Sequence, residues 1–256
     1  MRALLLAAGL GTRLRPLTDT VPKCLVDIDG RPLLDHWLEL LGRAGITEIL
    51  VNLHHLPEAV TAFLSTVRHP VRVGVVDEPV LLGTGGTVLA NRGFLRDEAA
   101  LVAHADNLSL FDVDAFRQRF ESRAEAIEIT MMTFRTDRPQ SCGIVELDAQ
   151  GTVRGFHEKV AAPPGNLANA AVYILSPAVT AFLERLNKPV IDLSTEVLPH
   201  FVGRINTFEN EVYHRDIGTI ESLEIARREY PAVAARHARA ARAGRPGRSG
   251  GPGPRG

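Results

Sequence analysis

Residues 6–18, LAAGLGTRLRPLT, place two glycines and a permanent positive charge directly after an apolar run. Gly9 and Gly11 have no Cβ, so the backbone N–H groups beside them can approach an anion closely. Arg13 carries a planar fork of donors that suits two phosphate oxygens at once, and Lys23 follows in the tetrad PKCL. Two cations beside one glycine loop indicate a site for a phosphorylated ligand, and a triphosphate fits such a loop.

The usual nucleotide-binding templates do not describe this loop. Leu14 stands where a dinucleotide fingerprint needs its third glycine, and no Gly-Lys-Ser/Thr follows as in a Walker A loop. Glycines by themselves would indicate a turn, and an isolated Arg or Lys would be an ordinary solvated charge. Their order within one short segment argues for a ligand site of a different kind.

Two further segments carry candidate site residues. Residues 78–87, EPVLLGTGGT, contain three closely spaced glycines that open a predicted helix, which alone is a weak signal. Asp106 follows an apolar strand in HADN, where ligands of open α/β sheets gather and where a carboxylate can hold Mg²⁺ against phosphate oxygens. A lone Asp at a strand end is more often the cap of a turn or helix, so its role depends on a partner.

Together these motifs resemble the sugar-1-phosphate nucleotidyltransferase family. The family signature G-x-G-T-R, x-x-P-x-T and P-K is matched by residues 9–13, Pro16, Thr18, Pro22 and Lys23. The resemblance implies that the chain joins a nucleoside triphosphate to a sugar 1-phosphate and releases pyrophosphate, with Mg²⁺ as cofactor. It also implies the nucleotide-diphospho-sugar transferase fold.

The resemblance assigns roles residue by residue. It makes Arg13 and Lys23 catalytic, and it makes Asp106 and Asp216, the latter in YHRDIGT, the two carboxylates that converge on Mg²⁺. The implied nucleotide-binding residues are Ala7, Ala8, Gly9, Gly11, Thr12, Glu78, Gly83, Thr84 and Gly85. The implied sugar-phosphate-binding residues are Gly143, Glu158, Lys159 and Asn169.

Several features leave the substrates open. The run LGTGGT looks more like guanylyltransferases acting on mannose or heptose 1-phosphates, which favours GTP. Uridylyl, thymidylyl or cytidylyl transfer to another phosphorylated acceptor is the nearest enzymatic alternative. A non-catalytic alternative is a regulatory subunit that senses a sugar nucleotide. Glu158 and Lys159 fit a solvated ion pair at a strand end equally well. Ala171 stands where the family commonly has glycine, which leaves the identity of the sugar open.

Short Val/Ile/Leu-rich runs that alternate with longer amphipathic segments predict an α/β fold, Rossmann-like, with a mostly parallel sheet flanked by helices. The strands are predicted at 3–7, 48–52, 71–76, 100–107, 127–135, 170–175, 204–209 and 211–215. The helices are predicted at 33–45, 58–67, after Gly86, 177–186, 192–202 and 219–230. Residues 142–159 alternate across a turn at 148–151 and predict a small antiparallel sugar-binding portion.

Composition limits the partners. The 256 residues carry a net charge of −1 without a basic face, so nucleic acid is not an expected partner, and no apolar run is long enough for a membrane span. Only two cysteines occur and no zinc-type spacing is present, which favours a reducing, cytoplasmic protein, and an exposed sheet edge could support a homodimer. We expect a nucleotidyltransferase domain over 1–230 and a disordered Arg/Gly/Pro-rich tail over 231–256.

Overall fold

The computed structural model describes residues 1–243. Within them the chain forms thirteen strands. These are β1 (Arg2–Leu6), β2 (Asp27–Ile28), β3 (Arg31–Pro32), β4 (Glu48–Leu53), β5 (Arg72–Asp77), β6 (Ala100–His104), β7 (Asn107–Leu110), β8 (Ile129–Arg135), β9 (Gly143–Leu147), β10 (Val153–Glu158), β11 (Leu167–Leu175), β12 (Ile205–Glu209) and β13 (Tyr213–Asp216). The helices are α1 (Leu33–Arg43), α2 (Pro57–Thr66), α3 (Gly83–Ala90), α4 (Arg92–Leu95), α5 (Val113–Glu121), α6 (Pro177–Leu186) and α7 (Ile220–Ala243).

A nine-stranded sheet organises the molecule, with β10-β9-β11-β6-β1-β4-β5 as its main order and β8 and β12 joined through β11. Strands β6, β1, β4 and β5 are parallel neighbours, whereas β11 runs antiparallel to β6. Ala3 and Leu5 pack in a core cluster with α1 and α5, and Leu4 and Leu6 pack in a second cluster with α3 and α6. Helices therefore cover both faces of β1, which explains its uninterrupted apolar sequence.

The predicted α/β fold is confirmed, with differences in particular elements. Residues 192–202, predicted as one helix, form a π-helical turn at Leu193–Val197 and then a 3-10 turn at Leu198–Phe201. Helix α5 lies in a stretch for which the sequence pattern gave no expectation; Asp112 caps it by accepting the N–H of Ala115 at 2.9 Å.

The antiparallel portion forms where the alternation predicts it. Strands β9 and β10 pair directly, and Gly151 closes the turn between them at a φ of +77° with its N–H donating to the carbonyl of Asp148. Strand β11 links this portion to the parallel sheet, because it pairs with β9 on one side and with β6 further along. The antiparallel portion and the parallel strands thus belong to one continuous sheet.

The closing helix α7 is longer than predicted. It packs Leu223, Ala226 and Tyr230 onto a third core cluster that includes Leu14 of the glycine loop. The helix continues past Pro231 to Ala243, so residues 231–243 are helical where composition predicted a disordered tail, because alanine and arginine are strong helix formers. Residues 244–256 of that tail lie outside the described residues. Among residues 1–243, no helix is both long enough and apolar enough to cross a bilayer.

Candidate functional site

The glycine loop leaves the carboxyl end of β1 and turns sharply at Gly11. Gly11 has a φ of +63°, and an added Cβ would lie 2.9 Å from Cγ2 of Thr18 and 3.3 Å from Cβ of Lys23. Thr18 fixes the turn because its hydroxyl donates to the carbonyl of Gly11 at 2.8 Å. Both the backbone conformation and the space therefore require glycine here.

The charged residues predicted from the motifs come together beside this loop. The ammonium of Lys23 lies 2.6 Å from Oδ2 of Asp106 and 3.4 Å from Oδ1 of Asp216. Lys23 is only 6% exposed, so its charge needs these carboxylates as partners. A Cβ on Gly9 would lie 4.0 Å from Asp106 Oδ2, which places the glycine loop directly against the pair.

Arg13 completes the cluster from the solvent side. Its guanidinium lies 3.8 Å from Oδ2 of Asp216, and its side chain is 69% exposed, which leaves it free to turn toward a ligand. Gly218 makes this contact possible, since a Cβ there would lie 2.6 Å from the Asp216 carboxylate and 3.0 Å from the guanidinium. Gly218 was not among the predicted site residues, although its place two residues after the carboxylate was a signal.

The two carboxylates suit a hard divalent cation. They leave the ends of different strands, β6 and β13, and both approach the same positive charge, that of the Lys23 ammonium. Burial disfavours the charged form of Asp106, but the nearby Lys23 and His104 outweigh it and hold the pKa of Asp106 below its usual value. No group of three or more His, Cys, Asp or Glu side chains arranged for a metal occurs within residues 1–243. Two carboxylates fit Mg²⁺, which commonly takes its other ligands from water and phosphates.

The second glycine cluster is packed against protein rather than open. The N–H groups of Gly85 and Gly86 donate to the carbonyl of Ile191 at 2.8 and 3.1 Å, and a Cβ on Gly83 would lie 2.4 Å from that same oxygen. Thr84 is also engaged, because its hydroxyl accepts the N–H of Leu193 at 2.8 Å. Glycine is needed here for close contact with residues 191–193, so these amides are already used within the protein.

Glu78, predicted to contact the nucleotide, is turned into the protein. Its carboxylate is 6% exposed and accepts the N–H of Leu82 at 2.8 Å, the amide of Asn52 at 2.9 Å and the hydroxyl of Thr87 at 2.7 Å. Asn52 also accepts the N–H of Ala7, the first residue of the glycine loop, at 2.7 Å. Sequence reasoning missed Asn52 and Thr87; the signal for Asn52 was a polar residue at the end of an otherwise apolar strand.

The remaining predicted nucleotide residues differ in exposure: Ala8 is buried, whereas Gly9 and Thr12 are exposed on the loop.

In the portion that the resemblance predicts to bind the sugar phosphate, Gly143 and Glu158 are paired across β9 and β10. A Cβ on Gly143 would lie 2.5 Å from Oε2 of Glu158, so glycine makes room for this carboxylate. Lys159 follows with a φ of +49°, and its exposed ammonium lies 3.2 Å from Oε1 of Glu158. The structure thus brings these three predicted residues together.

Asn169 is held by its own strand. Its Oδ1 accepts the N–H of Ala171 at 2.9 Å, and its Nδ2 donates to the hydroxyl of Tyr173 at 2.7 Å. Ala171 sits in a β-bulge with a φ of +53°, in the left-handed region that glycine adopts without strain. Burial, with smaller contributions from the carboxylates of Glu158 and Asp192, raises the pKa of Tyr173.

The two sides of the site meet at the end of β6. Asn107, directly after Asp106, donates from Nδ2 to the carbonyl of Ala170 at 3.2 Å. The bulge that follows Asn169 is therefore tied to the turn that carries Asp106.

Cys24 and His214 lie close to this cluster but carry no charge there. Burial, and to a smaller extent Asp106, raises the pKa of the Cys24 thiol to about 12, so Lys23 does not activate it as a nucleophile. Burial lowers the pKa of His214 to about 3, with Asp106 opposing and Arg215 adding to the effect.

An open α/β sheet with a glycine loop, two cations and two carboxylates at its strand ends defines a class of proteins that bind phosphorylated ligands. The nucleotidyl transferase family model matches residues 2–232, and the chain therefore belongs to that family. The resemblance to sugar-1-phosphate nucleotidyltransferases drawn from the motifs is confirmed.

Curated relatives give the same family. A probable mannose-1-phosphate guanylyltransferase of rice is 33% identical over 79% of this chain and 56% of the relative. A glucose-1-phosphate thymidylyltransferase of Streptomyces griseus is 36% identical over 70% of this chain and 50% of the relative. The chain thus spans about half the length of the curated relatives it matches.

Solved structures share the fold. HddC from Yersinia pseudotuberculosis, crystallised with GMP-PN, is 25% identical to this chain and superposes with a TM-score of 0.75. The match covers 90% of this chain and 99% of HddC. A putative glucose-1-phosphate thymidylyltransferase from Bacillus anthracis, 20% identical, superposes with a TM-score of 0.81 over 89% of this chain and 94% of its own.

Proposed function

We propose that the protein transfers a nucleotidyl group from a nucleoside triphosphate, with GTP favoured, to a mannose- or heptose-type sugar 1-phosphate, and that it requires Mg²⁺. The observation that carries this proposal is the cluster of Lys23, Arg13, Asp106 and Asp216 around the glycine loop. Support for GTP comes from the names of relatives, which include mannose-1-phosphate guanylyltransferases of rice and fission yeast, and from the GMP-PN complex of HddC.

The chemistry is an in-line attack of the sugar-phosphate oxygen on the α-phosphorus, with pyrophosphate leaving and no covalent intermediate. Two polyanions repel each other, so the residues of the chain act by positioning and by neutralising charge. Lys23 binds near the α-phosphate, the exposed Arg13 turns to the leaving pyrophosphate, and Lys159 binds the acceptor phosphate. Mg²⁺, held by Asp106 and Asp216, supplies positive charge to the phosphate oxygens when it is bound.

One relative favours a second candidate. The 36% identity to a thymidylyltransferase supports dTTP with glucose 1-phosphate as the alternative pair. Uridylyl and cytidylyl transfer and a sugar-nucleotide-sensing subunit are further outcomes that the assay separates. A homodimer and a cytoplasmic location stay predictions.

The test is pyrophosphate release across a matrix of ATP, GTP, CTP, UTP and dTTP with mannose, glucose and heptose 1-phosphates, each with Mg²⁺ or with EDTA. Release that needs both a sugar 1-phosphate and Mg²⁺ supports the proposal, and the most active well identifies base and sugar. Asp106→Asn and Asp216→Asn should each lower turnover severely while the protein stays folded. Turnover that survives both substitutions overturns the metal assignment, and a silent matrix with tight binding of GDP-mannose favours the sensing role.

A further inference from the structure

A chain of buried polar contacts joins the glycine loop to the N-terminal end of α3. It starts at the N–H of Ala7, which donates to Oδ1 of Asn52, and passes through Nδ2 of Asn52 to Oε2 of Glu78. It ends at Oε1 of Glu78, which accepts the N–H of Leu82, the residue that precedes α3. The path therefore links the start of the loop 7–13 to the start of the segment 82–87.

Asn52 is the central member of this chain. It is 2% exposed, and each atom of its amide has a partner, with Oδ1 facing an N–H and Nδ2 facing a carboxylate at 2.9 Å and the hydroxyl of Thr87 at 3.4 Å. Fully satisfied buried networks of this kind fix geometry more strongly than single contacts do. An apolar side chain in its place would leave the N–H of Ala7 without its partner.

We infer that Asn52 is a positioning residue that holds the glycine loop and the segment 82–87 in the mutual arrangement needed to bind the nucleotide. This inference rests on the proposed function. Asn52 acts through Ala7 and Glu78, because the oxygen and the nitrogen of its amide are both engaged within the protein. Glu78 has the matching role on the other side, because its carboxylate fixes the segment 82–87 by accepting the N–H of Leu82.

The first test compares Asn52→Leu with Asn206→Leu. Asn206 is a buried asparagine on β12 whose side chain makes a single long contact, to the carbonyl of Arg119 at 3.4 Å. Nucleotide affinity is measured by titration calorimetry with ATP, GTP, CTP, UTP and dTTP in Mg²⁺, and melting temperatures are recorded. We expect the affinity of Asn52→Leu for the preferred nucleotide to fall by about tenfold or more, and that of the control to stay within about twofold.

Kinetics separates positioning from general damage. A loss of folded protein lowers the apparent kcat and leaves both KM values unchanged, whereas misplaced loops raise the KM for the nucleotide more than the KM for the sugar phosphate. Equal nucleotide affinity in Asn52→Leu and the wild type overturns the inference. A wild type that binds none of the five nucleotides overturns the proposed function itself.

A swap of donor and acceptor gives a second test. Asn52→Asp sets two carboxylates against each other, and Glu78→Gln sets two amides against each other, so each should weaken nucleotide binding. The double substitution restores one donor and one acceptor and should regain most of the affinity, a coupling measured by the double-mutant cycle. Additive losses in the double variant overturn the inference, because they show that the two side chains do not act through their mutual contact.

Discussion

Replacing Lys23 by methionine should make the stability of the protein depend on Mg²⁺. Methionine keeps most of the apolar stem but removes the ammonium that lies 2.6 Å from Asp106 and 3.4 Å from Asp216. Removing one partner of a buried ion pair costs about 3–5 kcal/mol. The two carboxylates are 29% and 52% exposed, so solvent screens part of this cost, and about 2–3 kcal/mol is expected.

The assay is thermal unfolding of Lys23→Met and wild type, each in EDTA and in a Mg²⁺ series. In EDTA the variant should melt roughly 5–10 °C below the wild type, given about 2–4 °C per kcal/mol for a chain of this size. Mg²⁺ at about a hundred times its dissociation constant stabilises by about 2.7 kcal/mol and should recover most of that loss. In the wild type the same Mg²⁺ must compete with the ammonium, so the shift should be smaller.

Lys159→Met provides the matched control for stability, because Lys159 is 66% exposed and its removal leaves no buried charge. Its melting temperature should stay close to that of the wild type with and without Mg²⁺. The reasoning is refuted if Lys23→Met melts with the wild type in EDTA, or if Mg²⁺ shifts both proteins equally.

Three further predictions follow from single sites. Ala171→Gly should raise the free energy of unfolding by about 1 kcal/mol, because it relieves the left-handed backbone at a φ of +53°; chemical denaturation measures this, and an unchanged value contradicts it. Gly218→Ala should lower turnover at unchanged stability, because its Cβ would lie 2.6 Å from the Asp216 carboxylate, whereas Gly93→Ala, with open space around it, should not alter turnover. His214 has a folded pKa of about 3 against 6.5, so only the unfolded chain gains its proton as the pH falls below 6.5. Wild type should therefore lose about 2 kcal/mol more stability than His214→Asn between about pH 7 and pH 5, as compared by denaturant titration, and equal losses would contradict the burial of a neutral ring.

The residues around Gly11 show what sequence can predict about such a site. Local features carry the information there: a buried strand, a glycine that needs a φ of +63° and two cations within one short segment. The end of β6 is equally local, since an apolar run stops directly before Asp106. Residues placed at the carboxyl ends of adjacent parallel strands meet by geometry, so their convergence follows once the strands are recognised.

The environment of the second glycine cluster could not be predicted from its local sequence. The nucleotide-binding role of Gly83 and Gly85 stays a prediction, and the structure adds that their lack of a Cβ lets them pack against Ile191, which is distant in sequence. The same limit applies to Glu78, whose partners Asn52 and Thr87 lie on other elements. Which contact a residue makes across the fold is not contained in its local pattern.

Under the proposed function, the two carboxylates at this site have two roles, because they hold Lys23 in the structure and would also bind Mg²⁺. A lysine with only 6% exposure cannot keep its charge without partners, yet a cation held too tightly would not be available to a phosphate. Asp106 and Asp216 hold Lys23 while no ligand is bound, and two cations with two carboxylates leave the cluster balanced in charge. Under the proposed function, a divalent cation that bound both carboxylates would free Lys23 to interact with the phosphates. Metal and nucleotide should therefore each increase the affinity of the site for the other, as reciprocal linkage requires.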